Sequence, residues 1–350
     1  MSIIFAILLF SVLILLHELG HFAAAKLSGV QVNEFALFMG PAIFKKQVGE
    51  TVYSLRCIPI GGYCAMEGEN EDTDSPRSFQ KAAWWKRLAI LLAGSVMNFL
   101  TGLVIFAIVF APAKQFIVPE IAQVEDGCTV VREDGLHVGD RFLKVNGEKV
   151  YVHANFSVLL GLKGGDTHDL TIERDGKIIE FTDYKLEKHL FPGEQTERFG
   201  FSFGVQDATF GSRIVNIWNT ALDSVRTVRL SLQMLFSGQA GVKDMSGPVG
   251  MVQMMSETAQ ASDTAVDALL NMLYFGGFIA INLAVMNLLP IPALDGGRTF
   301  FLLLTTLIEA VTKKKINPKY EGYIHGAGMV LLLGFMAFIM FKDIFVIFKR

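Results

Sequence analysis

Residues 3–27, 88–112, 267–290 and 324–348 form four apolar stretches, each with the ~20 residues needed to cross about 30 Å of hydrocarbon. In lipid every backbone N–H and C=O must find a partner inside the protein, which for single segments dictates helices. Composition points the same way. Hydrophobic residues make up 51% and charged residues 19% of the 350, and the mean hydropathy of +0.42 exceeds what a soluble domain carries. The expectation is a multi-pass α-helical membrane protein with four transmembrane helices, in contact with the lipid bilayer. A fifth apolar run, 299–311, is too short to span and reads as a re-entrant or interfacial helix.

Charges orient the spans. Lys26, Lys45, Lys46, Arg56, Arg77, Lys81, Lys86 and Arg87 lie between the first two, and no Lys or Arg precedes the first. The positive-inside rule then puts 28–87 in the cytoplasm, together with Arg298, Lys313, Lys314, Lys315 and Lys319. Residues 113–266 face the exterior on this reading. Lys342, Lys349 and Arg350 pull the other way but are outnumbered. Residues 1–25 read as a retained span and not a cleaved leader, because a charged n-region is missing. The net charge of −3, without a basic patch interleaved with aromatics, gives nucleic acid no footing. Three cysteines, Cys57, Cys64 and Cys128, imply no disulfide framework.

Within the first span sits His17-Glu18-Leu19-Gly20-His21. Residues four apart on a helix share a face, so His17 and His21 can present two imidazoles to one ion, with Glu18 beside them to take a proton from water. The bland alternative is a polar seam between packed helices, but ionisable residues inside a membrane mark functional sites by default. Catalytic zinc usually has three protein ligands and an exchangeable water. The candidate third is Asp295, the only carboxylate between Asp267 and Glu309, in the run Asn287-Leu-Leu-Pro290-Ile-Pro292-Ala-Leu-Asp295-Gly296-Gly297. Pro290 and Pro292 break the third span, and Gly296-Gly297 is read as a tight turn that projects the carboxylate back. Alone, Asp-Gly-Gly could simply end a helix. The topology favours the ligand reading, since both the first and third spans run inward and carry these residues near the cytoplasmic side. His, His and Asp with a Glu base favour zinc, Zn2+, over cobalt or iron.

The rest of the chain divides by pattern. Residues 1–112 hold the first two spans and, at 30–66, extended segments (Val30–Phe38, Thr51–Ile58) with turns at Gly40-Pro41 and Gly61-Gly62. This β-loop either dips into the bilayer or is an ordinary cytoplasmic hairpin. Residues 67–78, with Glu67, Glu69, Glu71, Asp72 and Asp74, read as a solvated acidic loop. Residues 115–205 show short alternating strands, and Asn146-Gly147 and Asp175-Gly176 signal hairpins of a β-rich domain. Residues 206–266 begin with a helical period, Ile214, Ile217, Trp218, Ala221, Leu222, Val225 and Val228, which suits either the outer membrane surface or packing on the β domain. Residues 267–350 carry the last two spans.

Taken together, the His-Glu-x-x-His of span one, the Asn287–Gly296 run and a PDZ-like exterior domain resemble the site-2 protease family of intramembrane zinc metalloproteases (peptidase M50), most of all its bacterial sigma-regulating branch. The resemblance implies His17, His21 and Asp295 as zinc ligands and Glu18 as general acid and base. It further implies that Asn282, Asn287, Pro290 and Pro292, with Gly94 and Asn98 of the second-span motif, line the path of the substrate, and that the β-loop clamps it as an added strand. The implied activity is cleavage within the transmembrane segment of a single-span protein, such as a pre-trimmed anti-sigma factor, in the bacterial inner membrane. The member of that branch most resembled carries two tandem PDZ domains, whereas 115–205 has room for one. Ser246-Gly247-Pro248-Val249-Gly250 also matches the segment before span three.

Two rivals come from other classes. A metal transporter could use His and Asp as a transit site, yet has no use for Glu18 or an exterior PDZ-like domain. A catalytically silent PDZ adaptor would not need an intact base and three ligands.

Overall fold

The computed structural model describes residues 2–69, 73–125, 127–132, 135–191, 196–239, 241, 245, 247–313 and 319–349. Of the residues singled out above, Glu71, Asp72, Ser246, Lys314, Lys315 and Arg350 lie outside these. Along the chain run α1 (Ser2–Ser28), β1 (Val32–Val48), β2 (Thr51–Met66), α2 (Trp84–Phe110), β3 (Gln115–Val124), β4 (Arg141–Val145), β5 (Glu148–Lys149) and α3 (Phe156–Gly161). There follow β6 (Thr167–Arg174), β7 (Lys177–Lys185), β8 (Phe201–Asp207), α4 (Phe210–Phe236), α5 (Pro248–Gln260), α6 (Ala265–Met286), α7 (Asp295–Thr312) and α8 (Lys319–Lys349). Among the described residues four helical stretches are long and apolar enough to cross a membrane: Ile4–Ser28, Trp84–Phe110, Ala265–Met286 and Glu321–Phe345. The chain forms two compact units, residues 1–109 with 224–350, and residues 110–223.

In the first unit, α1, α2 and α6 approach closely because small residues stand where they meet. A Cβ on Gly276 would lie 2.9 Å from Leu9, one on Gly277 2.7 Å from Phe106, and one on Gly102 2.7 Å from Ile281. Leu9, Leu13, Ile105, Ile279 and Ala280 close a buried cluster with Met255 of α5. The start of α5 is held by α8: Asp343, buried, accepts the N–H groups of Gly247 at 2.8 Å and Gly250 at 3.0 Å. These donors have no intrahelical partner, so a carboxylate satisfies them well.

The β-loop is longer and more doubled than its sequence pattern suggests. β1 and β2 are antiparallel, and the first half of β1 is paired on both sides: Phe35 opposes both Cys64 and Tyr53, and Ala36 both Tyr63 and Ser54. This packs four strand segments into one hairpin. Its tip is tied to the end of α1, where Lys26 Nζ donates to Glu50 Oε1 at 2.6 Å and to Thr51 Oγ1 at 2.8 Å. Inside, Glu34 accepts from Ser54 Oγ at 2.6 Å and Arg56 Nη2 at 2.7 Å.

The second unit is a sheet of order β7-β6-β4-β3-β8, with β5 paired to β4. Asn146-Gly147 (φ 51° and 83°) turns β4 into β5, and Asp175-Gly176 (φ 48° and 75°) turns β6 into β7; two successive positive φ values are what the sheet twist requires. Phe142, Phe156, Ile121, Leu136, Leu159, Leu170 and Ile172 are buried in its core. Beside it, Asp140, with no exposed surface, accepts Nε and Nη2 of Arg174 at 2.6 and 2.7 Å and the N–H of His137 at 2.7 Å.

Removing one partner of a buried pair strands the other, so Asp140→Ala is expected to destabilise this unit by about 3 kcal/mol, read from its denaturant midpoint. A midpoint shift worth less than about 1 kcal/mol would contradict the pairing. His168, 3% exposed, is held below the ordinary imidazole range by burial and by Lys163, and its Nδ1 accepts from Asn146 Nδ2 at 3.2 Å. The folded unit therefore binds fewer protons than the unfolded chain, and its stability, full above about pH 6.5, falls as pH drops below that value. His168→Gln should flatten that slope in thermal unfolding at pH 7.5 and 5.5.

Candidate metal centre

Helix α1 sets His17 and His21 one turn apart, with their Nε2 atoms 3.3 Å from each other. Asp295 is the first residue of α7, and its Oδ2 lies 3.1 Å from His17 Nε2 and 3.2 Å from His21 Nε2. The far ring nitrogens decide what these atoms are. His21 Nδ1 is 2.8 Å from the carbonyl oxygen of Ile90, which can only accept, so Nδ1 carries a proton and in the neutral ring Nε2 holds the lone pair. His17 Nδ1 meets the Asn98 side-chain amide at 3.2 Å, and Asn98 Oδ1, buried, has no hydrogen-bond partner. Turning that amide over, an assignment set by the network, lets His17 Nδ1–H donate to Oδ1 and leaves a second lone pair on Nε2.

Three electron-pair donors thus face one another. Asp295 Oδ2 is buried and receives no hydrogen bond. Such an arrangement calls for a cation at its centre, and these three are the residues among those described that bring His, Cys or carboxylate donors together closely enough to hold one. Bonds of about 2.0–2.1 Å at tetrahedral angles would set zinc donors about 3.3 Å apart. The observed 3.1–3.3 Å fits.

The chain delivers Asp295 differently from the tight turn read in the sequence. Helix α6 ends at Met286, four residues before Pro290, and α7 starts at Asp295 itself. Gly296 and Gly297 are helical, not turn residues. They are required by crowding: the Gly296 N–H donates to Asn287 O at 2.6 Å, and a Cβ on Gly297 would press on the Ile291 backbone, 2.8 Å from its carbonyl carbon. Asn287 thus serves the loop through its carbonyl, Pro290 and Pro292 lie within the loop, and Asn282 is half-buried on α6. Arg298 pairs with Glu69, tying α7 to the segment after the β-loop.

Gly94 and Asn98, expected along the substrate's path, both lie against the imidazoles. A Cβ on Gly94 would collide with His21 Nε2 and sit 2.6 Å from His17 Cε1. Gly20, inside the His-Glu-x-x-His run, is just as constrained, since its Cβ would fall 2.5 Å from Ala93 O. Glu18 faces the β-loop, where a Cβ on Gly62 would be 3.7 Å from its Cγ. The Ile90 carbonyl and Gly62 were not foreseen; a backbone acceptor leaves no mark in sequence, and the Gly61-Gly62 pair gave a turn signal only.

Gly94→Val is expected to weaken zinc retention at least about tenfold, measured as metal content after dialysis against a chelator. Wild-type retention would mean that α2 does not shape the site.

Peptidase family M50 matches residues 5–335 of the chain. A Clostridium perfringens protein named as a zinc metalloprotease is 36% identical over 346 residues, covering 98% of both chains. A similarly named protein of Clostridium acetobutylicum is 34% identical over 347 residues, covering 98% of this chain and 97% of its own. The regulator of sigma-W protease RasP of Bacillus subtilis is 26% identical over 431 residues, covering 98% of each.

Proposed function

Because the chain belongs to peptidase family M50 and is a zinc metalloprotease of the site-2 type, we propose that it hydrolyses a peptide bond within the membrane-spanning segment of single-span proteins. The observation that carries this reading is the triangle of donors on His17, His21 and Asp295, two of them on a helix, α1, long and apolar enough to cross a bilayer. His17, His21 and Asp295 hold the metal, and Glu18 is the general base and acid. Zinc, when bound, acidifies water and polarises a peptide carbonyl.

Glu18 takes the proton of the attacking water and returns it to the leaving amine. The Ile90 carbonyl and Asn98 hold the imidazoles in the ligating tautomer throughout. A helical substrate hides its carbonyls in its own hydrogen bonds and must open locally before attack. The Gly62–Met66 run of β2 is suited to hold the opened segment: it pairs on one side with Val32–Leu37, and among the described residues no second strand covers its other side. A strand added there restores the lost backbone bonds, beside Glu18.

Residues 115–205 serve in this scheme as a single PDZ-like filter outside the membrane, and 206–266 as a membrane-surface segment. Phe210, Ile214, Val215 and Trp218 of α4 are exposed, and Arg213 donates to the carbonyls of Phe110 and Ala113, where α2 ends, which supports an interfacial position. The printed name of the Bacillus relative, a regulator of sigma-W, makes a pre-trimmed anti-sigma factor the leading substrate. The site then faces the cytoplasmic side of a bacterial inner membrane.

With a labelled single-span substrate in detergent or liposomes, Glu18→Gln and chelated protein should each lose at least about a hundredfold in cleavage rate. Cleavage by Glu18→Gln at the wild-type rate would remove the mechanism.

A further inference from the structure

Most side chains of α8 are exposed, so its few inward polar groups stand out. Asp343 is one, already assigned to the start of α5. His325 is another. Its Nδ1 accepts the backbone N–H of Ala293 at 3.0 Å, and its ring lies edge-on to Phe301 of α7 with centroids 5.4 Å apart. An amide N–H can only donate, so Nδ1 holds the lone pair and Nε2 the proton. Nε2 is buried without a hydrogen-bond partner, with Glu321 Oε1 at 3.8 Å.

Ala293 stands two residues before Asp295 and has φ +80°, a left-handed conformation that alanine keeps only where its surroundings enforce it. One turn of α8 beyond His325, on the same face, Gly328 lets the helix lie on the preceding residue: a Cβ there would come 3.0 Å from the Pro292 carbonyl carbon. Thus α8 grips the Pro292-Ala293 turn with one hydrogen bond and one close approach.

We propose that His325 is a positioning residue of the metal centre, which by accepting the Ala293 N–H holds the left-handed turn and so keeps Asp295 against the two imidazoles. The inference rests on the reading of Asp295 as a ligand. Without the acceptor, the Ala293 N–H is left unpaired and the turn relaxes toward ordinary φ, drawing the carboxylate away.

The test uses the full-length protein loaded with zinc, or with cobalt to give an absorption band that reports ligand geometry. His325→Phe keeps a ring against Phe301 and removes the acceptor; it should release zinc to a chelator about tenfold faster than wild type and alter the cobalt band. His325→Asn, whose Oδ1 can replace Nδ1, should retain both. Adding Ala293→Gly to His325→Phe should recover part of the retention, because glycine takes a positive φ without strain. Wild-type retention and spectrum in His325→Phe would overturn the proposal, as would equal loss in His325→Phe and His325→Asn. If His325→Phe does not fold, His325→Leu takes its place, compared with His325→Asn: loss in Leu alone supports the proposal, and retention in both or equal loss in both overturns it. Asp295→Asn separates the two readings: if it loses zinc while His325→Phe does not, only the positioning role fails, and if it keeps zinc, the ligand reading fails and takes this one with it.

Discussion

Three lone pairs, on His17, His21 and Asp295, point into a space whose edges measure 3.1–3.3 Å, and much of the first unit is arranged to keep them there. Without a positive charge between them they repel, and burying a carboxylate without a partner is costly. A metal ion removes both penalties. Each donor is fixed from behind: His21 by the Ile90 carbonyl and His17 by the Asn98 amide, both on α2, and Asp295 by the loop before α7, which the Gly296 N–H closes onto the Asn287 carbonyl.

That arrangement depends on helices coming closer than side chains normally permit. Gly20 meets the backbone of α2 at Ala93, and one residue on, Gly94 leaves room for both imidazoles. Gly102, farther along α2, and Gly276 and Gly277 of α6 continue the close packing. Small residues here bring backbones together, while the buried cluster of Leu9, Leu13, Ile105 and Ile279 fills the remaining space. The β-loop adds a further constraint through Lys26 and Glu50, which fix its tip to the same helix that bears the histidines.

Much of this was legible in the sequence because it rests on local rules. Apolar length gave the four long helices to within about four residues at each end, and the third stops at Met286 ahead of Pro290. Asn146-Gly147 and Asp175-Gly176 turned as their chemistry requires, and the four-residue spacing of His17 and His21 put both rings on one face. What escaped depends on contacts between distant segments. Gly296-Gly297 has the sequence of a turn, though its glycines answer to crowding by Leu288 and Ile291. The doubled pairing of Phe35 could not be seen, since alternation gives a strand's faces but not its neighbours. His325 carried the same signal as His17, an imidazole in an apolar run, but lacked a motif to single it out.

The central claim is that one ion is shared by two imidazoles from α1 and the carboxylate that begins α7. Anomalous diffraction at the zinc edge on the zinc-loaded protein tests it most directly. The account predicts a single strong peak within about 2.0–2.2 Å of His17 Nε2, His21 Nε2 and Asp295 Oδ2. A peak held by the imidazoles alone, with the Asp295 carboxylate turned away, or a peak elsewhere in the chain, would contradict it.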